Sequence, residues 1–140
     1  MNPSALALAY AQDVTSGKTI AGHYVKLACQ RFLDDMKREW QFRFDWEKAD
    51  QAIAFQQTLP HTKGQWAQRG QLLEYQPWQC FIEAQIFGWV HKETGLRRFR
   101  ESYEEVARKN GKSIRLAARG LYMFCADDEH GAEVYSGAGS

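Results

Sequence analysis

The sequence predicts a mixed α/β fold that is rich in helix. Three observations lead to this prediction: apolar residues recur at helical spacing in several stretches, a loosely alternating stretch follows them, and a Gly-Lys-Ser sequence opens a further helix. A chain of 140 residues has the size of one ordinary domain. Its net charge of +1 provides no bulk attraction to nucleic acid, so any DNA contact has to be local.

Two helices and a loop are predicted in the first half of the chain. From about Gly22 to Trp40, apolar side chains recur every three or four residues, as in an amphipathic helix. Asp45 is placed to cap a second helix that runs to about Leu59. Residues 58–71 contain one proline and two glycines without periodicity, which predicts a long surface loop.

A third helix is predicted to begin at Pro77, because proline suits the first helical position, and to continue to Gly95. Residues 97–106 alternate loosely between aromatic and charged residues, which is the pattern of a strand. Two shorter elements are predicted further on, a helix over 113–125 and a strand over 132–135.

The cysteines and the apolar runs bear on the class of protein. Cys29, Cys80 and Cys125 lie far apart without any Cys-x-x-Cys spacing, so neither a disulfide framework nor a zinc site is predicted. We expect reduced, intracellular thiols.

No apolar run approaches the roughly 20 residues that a membrane span needs, and the opening of the chain lacks the basic start of a signal peptide. No membrane partner is expected.

A candidate phosphate-binding loop lies at Asn110-Gly111-Lys112-Ser113. Such a loop needs inward backbone N–H groups, a lysine for the outer phosphates and a hydroxyl for Mg²⁺, at the start of a helix whose dipole favours anions. The usual pattern also has a glycine five positions before Gly111, where this chain has Val106. From spacing alone, a nucleotide site and a helix start that is merely rich in glycine and serine both remain open.

Five blocks, taken together and in order, carry a resemblance to a known family: "YVKLACQRFLDDM" at 24–36, "LPHTKGQW" at 59–66, "QPWQCFI" at 76–82, "FGWVHKETGLRRFRE" at 87–101 and "RKNGKS" at 108–113. They closely resemble the large subunit of tailed-phage terminases, the ATP-driven motors that package DNA into capsids. The phosphate loop of that family lacks the first glycine, so Val106 fits the resemblance. The implied fold is a helical N-terminal segment followed by the start of a P-loop NTPase sheet of the ASCE type, which is incomplete here.

The resemblance also implies a division of the chain into a helical segment, residues 1–58, a loop, residues 59–71, and the first part of a P-loop ATPase domain, residues 72–140. A working motor further needs a strand ending in an Asp-Glu pair, and a terminase needs a nuclease with clustered acidic metal ligands. Neither occurs before Ser140. We therefore expect the N-terminal portion of a longer protein, and no turnover by this portion alone.

In the implied ATP site, Lys112 would contact the β- and γ-phosphates and Ser113 would hold Mg²⁺. The backbone around Asn110 and Gly111 would line the anion, and Lys109 belongs to the same phosphate-binding stretch.

Two further residues match positions with family roles. Arg108 matches a basic position that is thought to act on the γ-phosphate as an arginine supplied in cis; the alternative is a solvated arginine at a strand end. Gln79 follows Pro77-Trp78, as in the adenine-reading glutamine motif of related motor ATPases, where an amide can pair with a donor and an acceptor on the base.

The sequence departs from the family's pattern in the segment before the loop. The strand feeding a phosphate loop is usually apolar and buried on both faces, yet residues 101–107 read "ESYEEVA". Because a buried, unpaired carboxylate is costly, Glu104 has to find a partner, lie at the edge of the strand, or weaken the domain. Arg115 and Arg119 likewise lie on a helix that is expected to pack against the sheet.

One basic cluster is present, formed by Lys92, Arg97, Arg98 and Arg100. It has the charge to contact DNA phosphates, but neighbouring glutamates roughly cancel it, so a surface of mixed charge is favoured. A sequence-specific DNA-binding protein ranks last among the function classes, since no recognition-helix motif is visible.

For the intact protein, the resemblance implies ATP hydrolysis that drives packaging of double-stranded phage DNA, with endonuclease cutting at the start and finish. The implied partners are the DNA, the portal protein and the small terminase subunit, with the large subunits in a homo-oligomeric ring. The implied location is the host cytoplasm, transiently at the procapsid portal. The alternative is a non-catalytic remnant or helical interaction module whose phosphate loop has decayed.

Overall fold

The computed structural model describes residues 1–62, 64–127 and 129–137, without the side chain of Trp66; Ser140 lies outside the described residues. Within this part, the elements are α1 (Pro3–Thr15), α2 (His23–Met36), β1 (Phe42–Phe44), α3 (Trp46–Gln56), α4 (Gly64–Gln68), α5 (Pro77–Gly88), β2 (Trp89–His91) and α6 (Lys112–Cys125). The chain divides into two compact units. Unit 1 comprises Met1–Ala54 and Glu74–Tyr103, and unit 2 comprises Phe55–Leu73 and Glu104–Ser140.

Unit 1 contains α1, α2, α5, the small sheet and most of α3. α1 packs against α5 and α2, and it buries Ala7, Ala11 and Val14, which lie on one helical face. The backbone N–H of Ser4 donates to Asp50 Oδ1 at 2.8 Å, which satisfies one of the free N–H groups at the start of α1. Sequence analysis did not predict α1, because its buried face is mostly alanine and contrasts little with the rest of the helix.

An aromatic cluster joins the small sheet to α2. β1 and β2 pair antiparallel, with Phe44 opposite Trp89. The ring of Phe32 on α2 meets both rings edge to face, with centroids 5.1 Å from Phe44 and 6.2 Å from Trp89. Such pairs contribute about 0.5–1.5 kcal/mol each beyond the area they bury. Since Phe32 and Trp89 are buried, this cluster is the centre of the core of unit 1.

The predicted helices in the first half are confirmed as α2 and α3, but both end earlier than predicted, at Met36 instead of about Trp40 and at Gln56 instead of about Leu59. Asp45 caps α3 as expected, because its Oδ1 accepts the backbone N–H of Lys48 at 3.1 Å. The predicted surface loop over 58–71 is wrong in part: it contains the short helix α4, and Pro60 pairs with Leu72 in an isolated antiparallel bridge.

The third predicted helix begins at Pro77 as expected, but its predicted end at Gly95 is wrong. α5 ends at Gly88, and Trp89 is extended, with φ −80° and ψ 119°. Gly88 lies against the ring of Phe44, and the residues after it pair with β1 instead of continuing the helix. Trp89 and Val90 therefore belong to the sheet, although their spacing also fits the helical stripe.

Both predicted strands of the second half are wrong. Residues 101–107 and 132–137 have no regular secondary structure, and Arg97 makes only an isolated bridge with Val90. In the described part of the chain, residues 101–107 have no neighbouring strand with which to form the hydrogen bonds of a sheet. The predicted P-loop sheet is therefore not confirmed. The fold is helical with a small two-stranded antiparallel sheet, which is consistent with an incomplete α/β domain.

The three cysteines are free thiols. Cys29 and Cys80 are buried, and Cys125 is exposed. Burial raises the pKa of Cys29 to about 11, and burial together with the nearby charge of Glu83 raises that of Cys80 to about 11. Among the described helices, none is long and apolar enough to cross a bilayer.

Candidate nucleotide-binding site

The candidate loop, residues 108–113, leads into α6 and lies in unit 2. The prediction of a helix over 113–125 is confirmed, and α6 begins one residue earlier, at Lys112. Gly111 immediately precedes it with φ 72° and ψ 17°, a left-handed conformation that glycine adopts without a steric penalty. The glycine of the Gly-Lys-Ser sequence is therefore required by the backbone at this point.

A second left-handed residue lies two positions earlier. Lys109 has φ 67°, which is uncommon for a residue with a Cβ. Between the two, the Asn110 side-chain amide donates to the Ala107 carbonyl at 3.0 Å. This hydrogen bond spans the turn and stabilises it locally. Left-handed residues in short succession are typical of backbone concavities that present N–H groups to anions.

The charge of this loop favours an anion. Arg108, Lys109 and Lys112 are all exposed. The first turn of α6 contains no acidic residue, and its N-cap is Gly111, which has no side chain that could accept from the free N–H groups. A helix N-terminus carries about half a positive charge on its free N–H groups. Together with the three cations, these groups suit a phosphate, and the exposed hydroxyl of Ser113 lies in the first turn beside them.

Glu104 lies just before the loop and pairs with two arginines of α6. Arg115 Nη2 is 2.5 Å from Oε2, and Arg119 Nη2 is 2.6 Å from Oε1. Arg115 also donates through Nη1 to Oε1 at 3.2 Å, which makes its contact bidentate. The side chain of Arg115 is fully buried and that of Glu104 is 9% exposed. We call these three residues the Glu104 ion cluster.

The protonation of Glu104 follows from this cluster. Burial alone would raise its pKa, but the hydrogen bonds and positive charges of Arg115 and Arg119 outweigh burial, so the pKa is lowered from its ordinary value. Of the three outcomes expected for this carboxylate, the structure shows the first, a partner. The pairing of these three residues was not predicted from the sequence; the available signal was that Arg115 and Arg119 are one helical turn apart.

Gln79 lies in unit 1, in the first turn of α5, and is mostly buried. Its Oε1 accepts the backbone N–H of Gln76 at 2.8 Å, and the Gln76 side chain accepts the backbone N–H of Gln79 in return. This reciprocal pair is a capping box, here formed by two glutamines. The structure thus shows Gln79 in a helix-capping role, with its carbonyl oxygen engaged.

The basic cluster at 92–100 is engaged in contacts within unit 1. Arg98 pairs with Asp35 at 2.8 Å and is only 14% exposed. Lys92 Nζ lies 3.5 Å from Glu39 Oε2, and the Arg97 guanidinium lies 5.5 Å from the centroid of the Phe87 ring. The contacts of these cations fit the favoured interpretation of mixed charge, and Arg98 is part of the interior instead of the surface.

The loop thus combines a left-handed glycine, a helix that begins with lysine and serine, and exposed cations. These are the features that a phosphate-binding loop needs. Residues 77–137 match the family model described as the terminase large subunit, ATPase domain. The match confirms the resemblance and supports the interpretation of this chain as part of a terminase large subunit. The matched range contains both Gln79 and the loop. Neither the comparison with curated proteins nor that with solved structures gave a significant match.

Proposed function

We propose that this chain binds Mg-ATP through residues 108–113 and contributes to the ATPase of a terminase large subunit, which powers packaging of double-stranded DNA into phage capsids. The observation that carries the proposal is the left-handed Gly111 at the start of α6, followed by the exposed Lys112 and Ser113. The match to the terminase ATPase domain over 77–137 supports the same function.

Each loop residue has a proposed task. Lys112 contacts the β- and γ-phosphates, and Ser113 binds the Mg²⁺ that accompanies ATP. The backbone of Asn110 and Gly111 lines the anion, and Lys109 adds positive charge to the phosphate-binding stretch. The fit of the group rests on the exposed hydroxyl and lysine in the first turn of a helix whose N-terminus lacks an acidic residue. Mg²⁺ supplies charge neutralisation at the phosphate oxygens when it is bound.

Arg108 and Gln79 have narrower proposed roles. Arg108 is the candidate cis arginine, which would stabilise negative charge on the γ-phosphate during hydrolysis. In the intact large subunit, Arg108→Ala should therefore lower turnover much more than ATP affinity. Gln79 is the candidate adenine contact. To bind the base, its Oε1 would have to give up the hydrogen bond from the Gln76 backbone N–H and accept one from adenine instead.

The remaining proposals follow from the family. The portion over 72–140 is proposed as the first part of the ATPase domain, after a helical segment over 1–58 and a loop over 59–71. The intact subunit would also have an endonuclease part, and it would act in the host cytoplasm as a homo-oligomeric ring at the procapsid portal. Its partners would be phage DNA, the portal protein and the small subunit.

The test is a titration of the chain with Mg-ATP, followed by calorimetry. We expect binding by the wild type and a loss of at least about tenfold in affinity for Lys112→Ala, since the substitution removes a charge-assisted phosphate contact. The control is Lys26→Ala, which removes an exposed lysine from α2 in unit 1. Equal affinity of the wild type and Lys112→Ala would refute the assignment.

A second function, a protein-interaction module, is favoured by one observation on α6. This helix buries Arg115, whereas Leu121 and Phe124 are 48% and 60% exposed. Exposed apolar side chains on one helix suit a protein partner. Absence of Mg-ATP binding by the wild type would favour this alternative.

A further inference from the structure

We propose that Glu104 is a positioning residue for the phosphate loop. The Glu104 ion cluster holds the segment before the loop in place, as hydrogen bonds to a neighbouring strand would do in a sheet. The inference rests on the proposed function of residues 108–113 as an ATP site. Glu104 does not touch the nucleotide in this proposal; it acts by fixing the segment before the loop to the helix after it.

The connectivity is the first argument. Glu104 precedes the loop, and its partners follow it on α6, 11 residues away for Arg115 and 15 for Arg119. The cluster therefore closes a ring of chain that contains the whole of residues 108–113. Both carboxylate oxygens are engaged, Oε2 by Arg115 and Oε1 by Arg119. Two contacts from different turns of one helix fix the orientation of the carboxylate as well as its distance.

The second argument is that the segment before the loop belongs to no described strand. Residues 101–107 have no regular secondary structure, so no ladder hydrogen bonds of a described strand hold the entry to the loop. At the other side, α6 is a regular helix from Lys112 onwards. A left-handed Lys109 is a strained conformation and persists only where its surroundings enforce it. The ion cluster and the Asn110 to Ala107 hydrogen bond are two contacts that can enforce it.

Burial makes the cluster strong enough for this task. An exposed ion pair contributes little, because water and salt screen it. Arg115 is fully buried and Glu104 nearly so, and removal of one partner from such a pair leaves an uncompensated charge away from water. Loss of Glu104 should therefore release the entry segment from α6, and with it the fixed shape of the loop.

The experiment combines amide hydrogen exchange without nucleotide and Mg-ATP titration, both on the 140-residue chain. In Glu104→Gln, exchange in residues 105–114 should accelerate by about tenfold or more and Mg-ATP affinity should fall by a similar factor, while α5 exchanges as before. The matched control is Glu101→Gln, the same change at an exposed glutamate outside the cluster. Loop exchange in Glu104→Gln equal to that of the control would overturn the proposal.

A charge swap separates positioning from general stability. The double variant Glu104→Arg, Arg115→Glu keeps one pair across the loop and should recover most of the loop protection. If Glu104→Gln unfolds α6, Arg119→Ala is the milder variant: it removes one of the two partners of Oε1 and should accelerate loop exchange by a smaller factor. A folded charge-swap variant without recovered protection, or an unchanged loop in Arg119→Ala, would contradict the proposal.

The experiments distinguish a failure of the proposed ATP site from a failure of the proposed positioning role of Glu104. If the wild type binds no Mg-ATP, the proposed function fails, and the exchange data still decide whether the cluster holds the loop. If the wild type binds Mg-ATP and Glu104→Gln binds it equally with an unchanged loop, the positioning role fails alone.

Discussion

Arg98 Nη1 lies 2.8 Å from Asp35 Oδ2, and the two side chains are only 14% and 8% exposed. The guanidinium also lies over Trp40 and Phe99, each with its ring centroid at 4.5 Å. Asp35 is thus the counter-charge for a cation enclosed by aromatic rings, a setting in which cation–π attraction contributes about 2 kcal/mol when the cation is desolvated. The pair connects the C-terminal half of α2 to the segment that follows β2.

Removal of Asp35 should destabilise unit 1 strongly. In Asp35→Ala, Arg98 keeps its charge in the aromatic setting without its partner, so we expect the free energy of unfolding to fall by about 3–5 kcal/mol. Urea denaturation followed by tryptophan fluorescence measures this change. Asp34→Ala is the control, because the Asp34 side chain is exposed and accepts an exposed hydrogen bond from Gln30. A loss no larger than that of the control would show that the ion pair contributes little.

The end of α5 gives a second prediction. A Cβ at Gly88 would lie 2.6 Å from Phe44 Cζ, well inside van der Waals contact. Gly88→Ala should therefore force the ring of Phe44 to move and lower the free energy of unfolding by about 1–3 kcal/mol. Gly137→Ala serves as the control, since nothing lies within 4 Å of a Cβ there. Equal stability of the two variants in urea would mean that the Phe44 ring moves aside at no cost.

Substitutions of Gly111 test the left-handed backbone conformation of the loop without changing its charge. With φ 72°, Gly111→Ala should be strained by about 1–2 kcal/mol, whereas Gly111→Asn should be strained less, because asparagine visits the left-handed region more readily. We expect Mg-ATP affinity and protection of the first turn of α6 to follow the order wild type, Asn, Ala. The reverse order for the two variants would indicate that the loop does not use this conformation when it binds.

The Glu104 ion cluster predicts an acid-sensitive unit 2. Because Arg115 and Arg119 lower the pKa of Glu104 from its ordinary value of 4.5, the contribution of Glu104 is complete above that value. It is lost as the pH falls through the lower pKa of the folded state, where the carboxylate becomes protonated. Denaturation between about pH 6 and pH 3 should show this decline in the wild type but not in Glu104→Gln. Parallel profiles for the two proteins would contradict the prediction.

Local sequence signals were sufficient for the elements that they control. The period of α2, the cap at Asp45 and the proline at the start of α5 each act within a few residues, and each prediction is confirmed. The two strands have three residues each and are defined by pairing between distant parts of the chain. Nothing within such a short stretch distinguishes it from the end of a helix, so the boundary at Gly88 could not be placed.

For the candidate site too, the sequence predicts the local features but not the pairing between separate segments. The Gly-Lys-Ser sequence and its position at a helix start could be read directly, because the signal lies in consecutive residues. The charged residues at 104, 115 and 119 conflict with a buried strand and helix, so sequence analysis expected a cost there. Their pairing depends on how the chain turns at the loop, and only the structure supplies that turn.

Because Arg115 and Arg119 share the carboxylate of Glu104, the order in which these three residues are replaced during evolution should matter. If Arg119 is lost first, Glu104 still has Arg115 as a partner; if Glu104 is lost first, both guanidinium groups lose this carboxylate at once. A lineage that acquires an aliphatic residue at position 104 would therefore be expected to replace the arginines before the glutamate. Drift in the opposite order should be rare.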